Sequence, residues 1–161
     1  MYNRIMTRIS YAHAGDDVHV FRVDFAGDGY PLNGSRLGFY IDADNNINTG
    51  RQSGTGVGSD SEISLSNRNV TDGSINLSHA RYSPDGKSSA SKDLTMMFVE
   101  GTSIYLRYDG VPKNKVGDEF VFRVFILSQG IIDGVWSNAS YNTSWSGQTV
   151  TVQTADKVYY K

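Results

Sequence analysis

The stretch Leu37–Leu65, LGFYIDADNNINTGRQSGTGVGSDSEISL, decides the fold. Leu37, Phe39 and Ile41 alternate with Gly38 and Tyr40, the two-residue period of a half-buried strand. The strand runs directly into Asp42, Asp44, Asn46 and Asn48, an oxygen-bearing side chain at every second position. Gly50, Gly54, Gly56 and Gly58 then let the backbone curl. Asp60 and Glu62 arrive as Ile63 and Leu65 restart the alternation. The pattern is a strand, a long acidic loop and a second strand. Hard cations such as Ca²⁺ take about 6–8 oxygen ligands from carboxylates, amides, backbone carbonyls and water. Asp42, Asp44 and Asn46 can supply such oxygens from the loop, with Asp60 closing the shell and Asn48 adding a side-chain or backbone oxygen. The alternative is a solvated hairpin loop, since Asp, Asn and Gly are ordinary turn residues. An EF-hand is a poor match. Ile47 stands where that loop needs glycine, Ser53 where it needs glutamate, and no helical pattern flanks it.

Outward from this pair, the chain reads as strands throughout. Ile5–Tyr11 suits a short first strand or an edge. In Val18–Phe25, His19, Phe21, Val23 and Phe25 share one face. Residues 26–35 form a loop by their glycine, proline and Asn33–Gly34 content. Ser74–Tyr82 alternates and ends at Ser83–Pro84–Asp85–Gly86, a strong turn signal. Leu94–Val99 and Ile104–Tyr108 form a hairpin around Gly101, which leaves Tyr105 and Arg107 on an outer face. Glu119–Leu127 is the most apolar strand, with Phe120, Phe122, Val124 and Ile126 toward the core. Residues 88–91 read as small and polar, and 137–148 as irregular. Thr149–Thr154 and Lys157–Tyr160 close the chain as strands. About nine or ten short strands without a helical period predict an all-β, antiparallel β-sandwich, jelly-roll or immunoglobulin-like, forming a single domain.

The 161 residues suffice for one core. A net charge of -2 gives no basic excess, so neither nucleic acid nor an anionic membrane is an expected partner. Apolar runs fall short of a membrane span, so no membrane insertion is expected. With no cysteine, disulfide and thiol chemistry are excluded.

FYIDADNNINTG followed by GVGSDSEISL resembles the D-x-D-N-N-x-x-T-G … G-x-D-x-x-I signature of secreted bacterial β-sandwich domains similar to family 9 carbohydrate-binding modules. The likeness covers Phe39–Leu65 and extends more weakly to Val18–Phe25 and Phe120–Trp136. It implies a jelly-roll sandwich, a structural Ca²⁺ and a glycan-binding role. It also implies an extracellular module, excised from a larger secreted protein whose neighbouring domains are its partners, and acting as a monomer. The family often carries an aromatic after the second aspartate, where this chain has Ser61.

The candidate glycan-binding residues are aromatic. Trp136, Tyr141 and Trp145 crowd into a polar segment. Flat rings suit the apolar C–H faces of pyranoses, and Asn142 can bond hydroxyls because an amide both donates and accepts. Tyr105, Arg107 and Tyr30 are further candidates. His19 and His79 sit in alternating strands on the apolar register and read as core or edge histidines. Catalytic patterns are missing: no G-x-S-x-G elbow, no H-E-x-x-H and no cysteine nucleophile. A Gly54-x-Gly56-x-Gly58 run lacks the following helix that a phosphate loop needs. The expectation is a non-catalytic module that targets a parent enzyme to polysaccharide. Its rivals are a calcium-stabilised structural or adhesion domain that binds no sugar, and a small Ca²⁺-dependent glycan-cleaving enzyme.

Overall fold

The computed structural model describes residues 6–13, 18–26, 35–67, 75–91, 94–109, 115–117, 119–128, 131–140, 148–150 and 158–159. The strands are β1 (Met6–His13), β2 (Val18–Phe25), β3 (Ser35–Asp42), β4 (Ser61–Asn67), β5 (Ile75–Tyr82), β6 (Ser88–Ala90), β7 (Leu94–Glu100), β8 (Ser103–Asp109), β9 (Glu119–Ser128), β10 (Ile131–Ser140), β11 (Gln148–Val150) and β12 (Val158–Tyr159). They make two antiparallel sheets, a five-stranded one in the order β11-β1-β2-β8-β7 and a seven-stranded one in the order β12-β10-β9-β3-β4-β5-β6. Neither closes into a barrel. The result is an all-β sandwich.

The alternation read from the sequence fills the core. Phe21, Val23 and Phe25 of β2 and Ile104, Leu106 and Tyr108 of β8 meet Leu37, Phe39 and Ile41 of β3 and Phe120, Phe122 and Val124 of β9 in one buried cluster. Register explains the match. Phe39 stands opposite Ile63 of β4 and Val124 of β9, so three apolar residues share one rung. Rings join the two sheets: Phe21 lies 5.6 Å from Phe39 and 5.3 Å from Phe122 between centroids. His19 is a core histidine, 1% exposed, stacked on Tyr108 and sharing a 2.7 Å hydrogen bond between its Nδ1 and the Tyr11 hydroxyl.

Three expectations about local structure change. β3 is not half-buried: Tyr40, on its outer face, is only 2% exposed because the acidic loop folds back over it. Ser88–Ala90 is a short exposed edge strand on β5. The third change concerns Ile131–Ser140, a regular strand that includes 137–140 of the segment the sequence marks as irregular. It pairs with β9 from Ile131 opposite Ser128 to Ser140 opposite Glu119. Long β9 is paired along its other side with β3, and its open edge offers a full ladder to whatever backbone can lie beside it. Backbone pairing there overrides the weak strand propensity of Ser137, Asn138 and Ser140.

Candidate metal centre

The acidic loop leaves the sheet at one strand end and returns one strand over. Asp42 ends β3, and Asp60 stands immediately before β4, with Asp60 N–H donating to the Ile41 carbonyl at 2.7 Å. Adjacent pairing of β3 and β4 therefore sets the two carboxylates side by side although 18 positions separate their numbers. Asp44 joins them, and one carboxylate oxygen from each of Asp42, Asp44 and Asp60 lies within 4.8 Å of the others. Asp42 and Asp60 are buried, and Asp44 is half-buried.

Backbone amides hold the trio. Asp60 Oδ2 accepts from Ala43 N–H at 2.8 Å and Asp44 N–H at 3.3 Å. Asn46 N–H, at 3.0 Å from each, donates to Asp42 Oδ1 and Asp44 Oδ1. The Thr49 hydroxyl donates to Asp44 Oδ2 at 2.8 Å. Burial, which outweighs the pull of the Asn46 amide, together with the neighbouring Asp44 and Asp60 carboxylates, lifts the Asp42 carboxyl to about 7. Three negative charges this close repel one another at a site where water screens them poorly.

The donor chemistry suits a hard cation: three carboxylate groups with no sulfur or imidazole among them. The close seat of the loop depends on glycine. Gly50 has φ of +72°, and a Cβ there would fall 2.3 Å from the Ser59 carbonyl oxygen and 3.0 Å from Asp60 Oδ1. Of the five residues expected to hold the ion, the structure brings the three aspartates together. Asn46 takes part through its backbone N–H, while its Oδ1 accepts Asn48 N–H at 3.1 Å. Asn48 itself is exposed. Asp42 also lines an open cavity of ≈ 350 Å³ together with Asn45, Ile47, Val57 and Val121.

A second cluster, which the sequence reading missed, fastens the loop to the sheet. Glu62, 6% exposed, receives Arg36 and the Tyr40 hydroxyl on Oε1, and Arg51 and the Tyr82 hydroxyl on Oε2. The Arg51 guanidinium also lies 5.5 Å from the Tyr40 ring centre and 5.9 Å from that of Tyr82. The 3₁₀ turn Gly54–Gly56 presses on Tyr40 so closely that a Cβ on Gly56 would sit 2.5 Å from the ring. A signal was present: Arg51 is the sole basic residue between Asp42 and Asp60. A lone cation in an acidic loop needs a partner.

Of the candidate glycan-binding residues, Trp136 lies within β10, opposite Arg123 of β9. Tyr141, Asn142 and Trp145 lie outside the described residues, as does Tyr30. Tyr105 is half-buried and Arg107 exposed on the outer face of β8, where Arg107 is paired with Asp109 at 2.9 Å. No family model, curated protein or solved structure matches the chain.

Proposed function

We propose that the protein is a non-catalytic carbohydrate-binding module whose sandwich is stabilised by a structural Ca²⁺ held by Asp42, Asp44 and Asp60. The observation that carries the calcium half is the convergence of those three carboxylates from the two ends of one loop. A bound divalent cation would neutralise their mutual repulsion. Asp42 and Asp60 fix the ends of the loop to β3 and β4, and Asp44 draws in its first turn. The glycan half is supported by the likeness of Phe39–Leu65 to secreted carbohydrate-binding sandwiches. It is supported also by the cluster of Trp136, Tyr141, Asn142 and Trp145 in the sequence. Held beside polysaccharide, such a module raises the effective concentration of a tethered enzyme. The domain would be extracellular, where Ca²⁺ is plentiful.

Affinity gel electrophoresis through a panel of soluble polysaccharides, with Ca²⁺ and with chelator, tests this reading. Retardation by one glycan, lost on Trp145→Ala, is the expected outcome. Free migration through every glycan would leave the reading of a calcium-stabilised structural or adhesion domain. New reducing ends or an absorbing unsaturated product would reveal a glycan-cleaving enzyme instead.

A further inference from the structure

We infer that Arg51 is a positioning residue for the cation site, an inference that rests on the calcium reading above. Arg51 touches none of the three aspartates, yet it sits where the loop is fastened to the strand that carries one of them. Its N–H donates to the Ser59 carbonyl at 2.8 Å, and Gly58 N–H donates to its own carbonyl at 2.6 Å. The loop thus returns on itself as a small antiparallel bridge ending one residue before Asp60. The guanidinium continues past that bridge, between Tyr40 and Tyr82, to Glu62 Oε2. Glu62 lies two residues beyond Asp60 on the same strand.

These contacts close a ring. The Thr49 hydroxyl holds Asp44 Oδ2, and Arg51, two residues on, holds Glu62. The backbone of β4 leads from Glu62 back to Asp60, whose Oδ2 accepts Asp44 N–H. Asp44 and Asp60 are therefore tied together through atoms that a metal does not supply, and the shared Asn46 N–H ties Asp42 to Asp44. Removing the Arg51 side chain leaves the backbone bridge but loosens its hold on Glu62 and the sheet, and ordering the bridged segment against β4 then costs entropy each time an ion binds. Residues that orient metal ligands from outside typically change metal affinity about 10–100-fold. Arg36 provides the contrast. It also bonds Glu62, but from β3, and it holds no part of the loop.

The test is Ca²⁺ titration calorimetry on the wild type, Arg51→Met, Arg51→Lys and Arg36→Met, at a temperature where far-ultraviolet dichroism shows each one folded. Arg51→Met is expected to lose at least about tenfold in Ca²⁺ affinity, and Arg51→Lys less, because lysine keeps the charge but not the planar fork. Arg36→Met is expected to stay within about twofold of wild type, since it leaves the ring intact. In chelator, amide exchange at Gly58 and Ser59 should quicken in Arg51→Met and not in Arg36→Met. Equal affinity in all four proteins overturns the inference and leaves the calcium reading standing. So does an equal loss in Arg51→Met and Arg36→Met. A wild type that binds no Ca²⁺ overturns both.

Discussion

Asp24 and Asp42 are carboxylates that the fold treats in opposite ways, and the two should pull the pH dependence of stability in opposite directions. At Asp24 burial disfavours the charge, but hydrogen bonds from Ser103, Arg22 and Arg8 outweigh it and hold the group below its ordinary value. Its contribution is present above that value and is lost as pH falls through the lowered one. At Asp42 burial and two neighbouring carboxylates lift the group from 3.8 to about 7. Without metal, the folded chain keeps a proton across that interval which the unfolded chain has released. Stability therefore falls as pH rises from 3.8 to about 7. Urea unfolding of the metal-free protein across the interval should show this decline, and Asp42→Asn should remove it. Saturating Ca²⁺ should also remove it, because the ion takes the place of the proton. A wild-type profile identical to that of Asp42→Asn would mean that the carboxyl ionises normally. The sequence made the convergence of Asp42, Asp44 and Asp60 legible, because a strand end and a strand start on one hairpin must lie close. It did not reveal the contributions of Asn46 and Asn48. Whether an amide offers its side chain or its backbone depends on local turns that the residue name does not encode.

Among the elements, the acidic loop and the pair β3–β4 are joined at Glu62. Two guanidinium groups and two phenol hydroxyls converge on one buried carboxylate. Removing one partner of a buried ion pair costs about 3–5 kcal/mol. The Arg36 and Arg51 side chains remain 43% and 25% exposed, so water can take up part of the loss. Glu62→Gln should thus destabilise by about 3 kcal/mol, the low end of that range, as read from urea unfolding. A loss under about 1 kcal/mol, the scale of a surface pair, would mean that water already satisfies the two arginines. The strands themselves were legible wherever apolar residues alternate, as in β2, β3, β8 and β9. β6 and β10 were not, since they are built by pairing to a neighbour. Ser88–Ala90 carries no apolar pattern at all, and Ser137–Ser140 is held by the ladder along β9. The burial of Tyr40 was hidden for a similar reason. Alternation records which face meets the other sheet, but it is blind to a loop that returns over the outer face.

For the molecule as a whole, the sandwich followed from strand number, turn spacing and the missing helical period, whereas the order of strands in the sheets did not. That order places the acidic loop consequentially. β3 and β4 lie inside the seven-stranded sheet, and Leu37, Phe39, Ile41, Ile63 and Leu65 belong to the core both sheets share. An ion that pins the ends of these two strands is therefore coupled to the central packing, and its binding energy should appear in the unfolding of the entire structure. At a free Ca²⁺ concentration one hundred times Kd, mass action adds about 2.7 kcal/mol. For a chain of this size that raises Tm by roughly 5–11 °C. Calorimetric scans with Ca²⁺ and with chelator should show that shift in a single transition. Asp44→Ala should melt at one temperature in both conditions, because it lacks one of the three converging carboxylates. A wild type whose Tm ignores Ca²⁺ would show that the Arg51–Glu62 network and the backbone amides hold the loop on their own, with the aspartates serving as turn acceptors. A shift confined to a minor early transition would show that the loop melts apart from the sheets, and that the ion orders a surface segment without supporting the core.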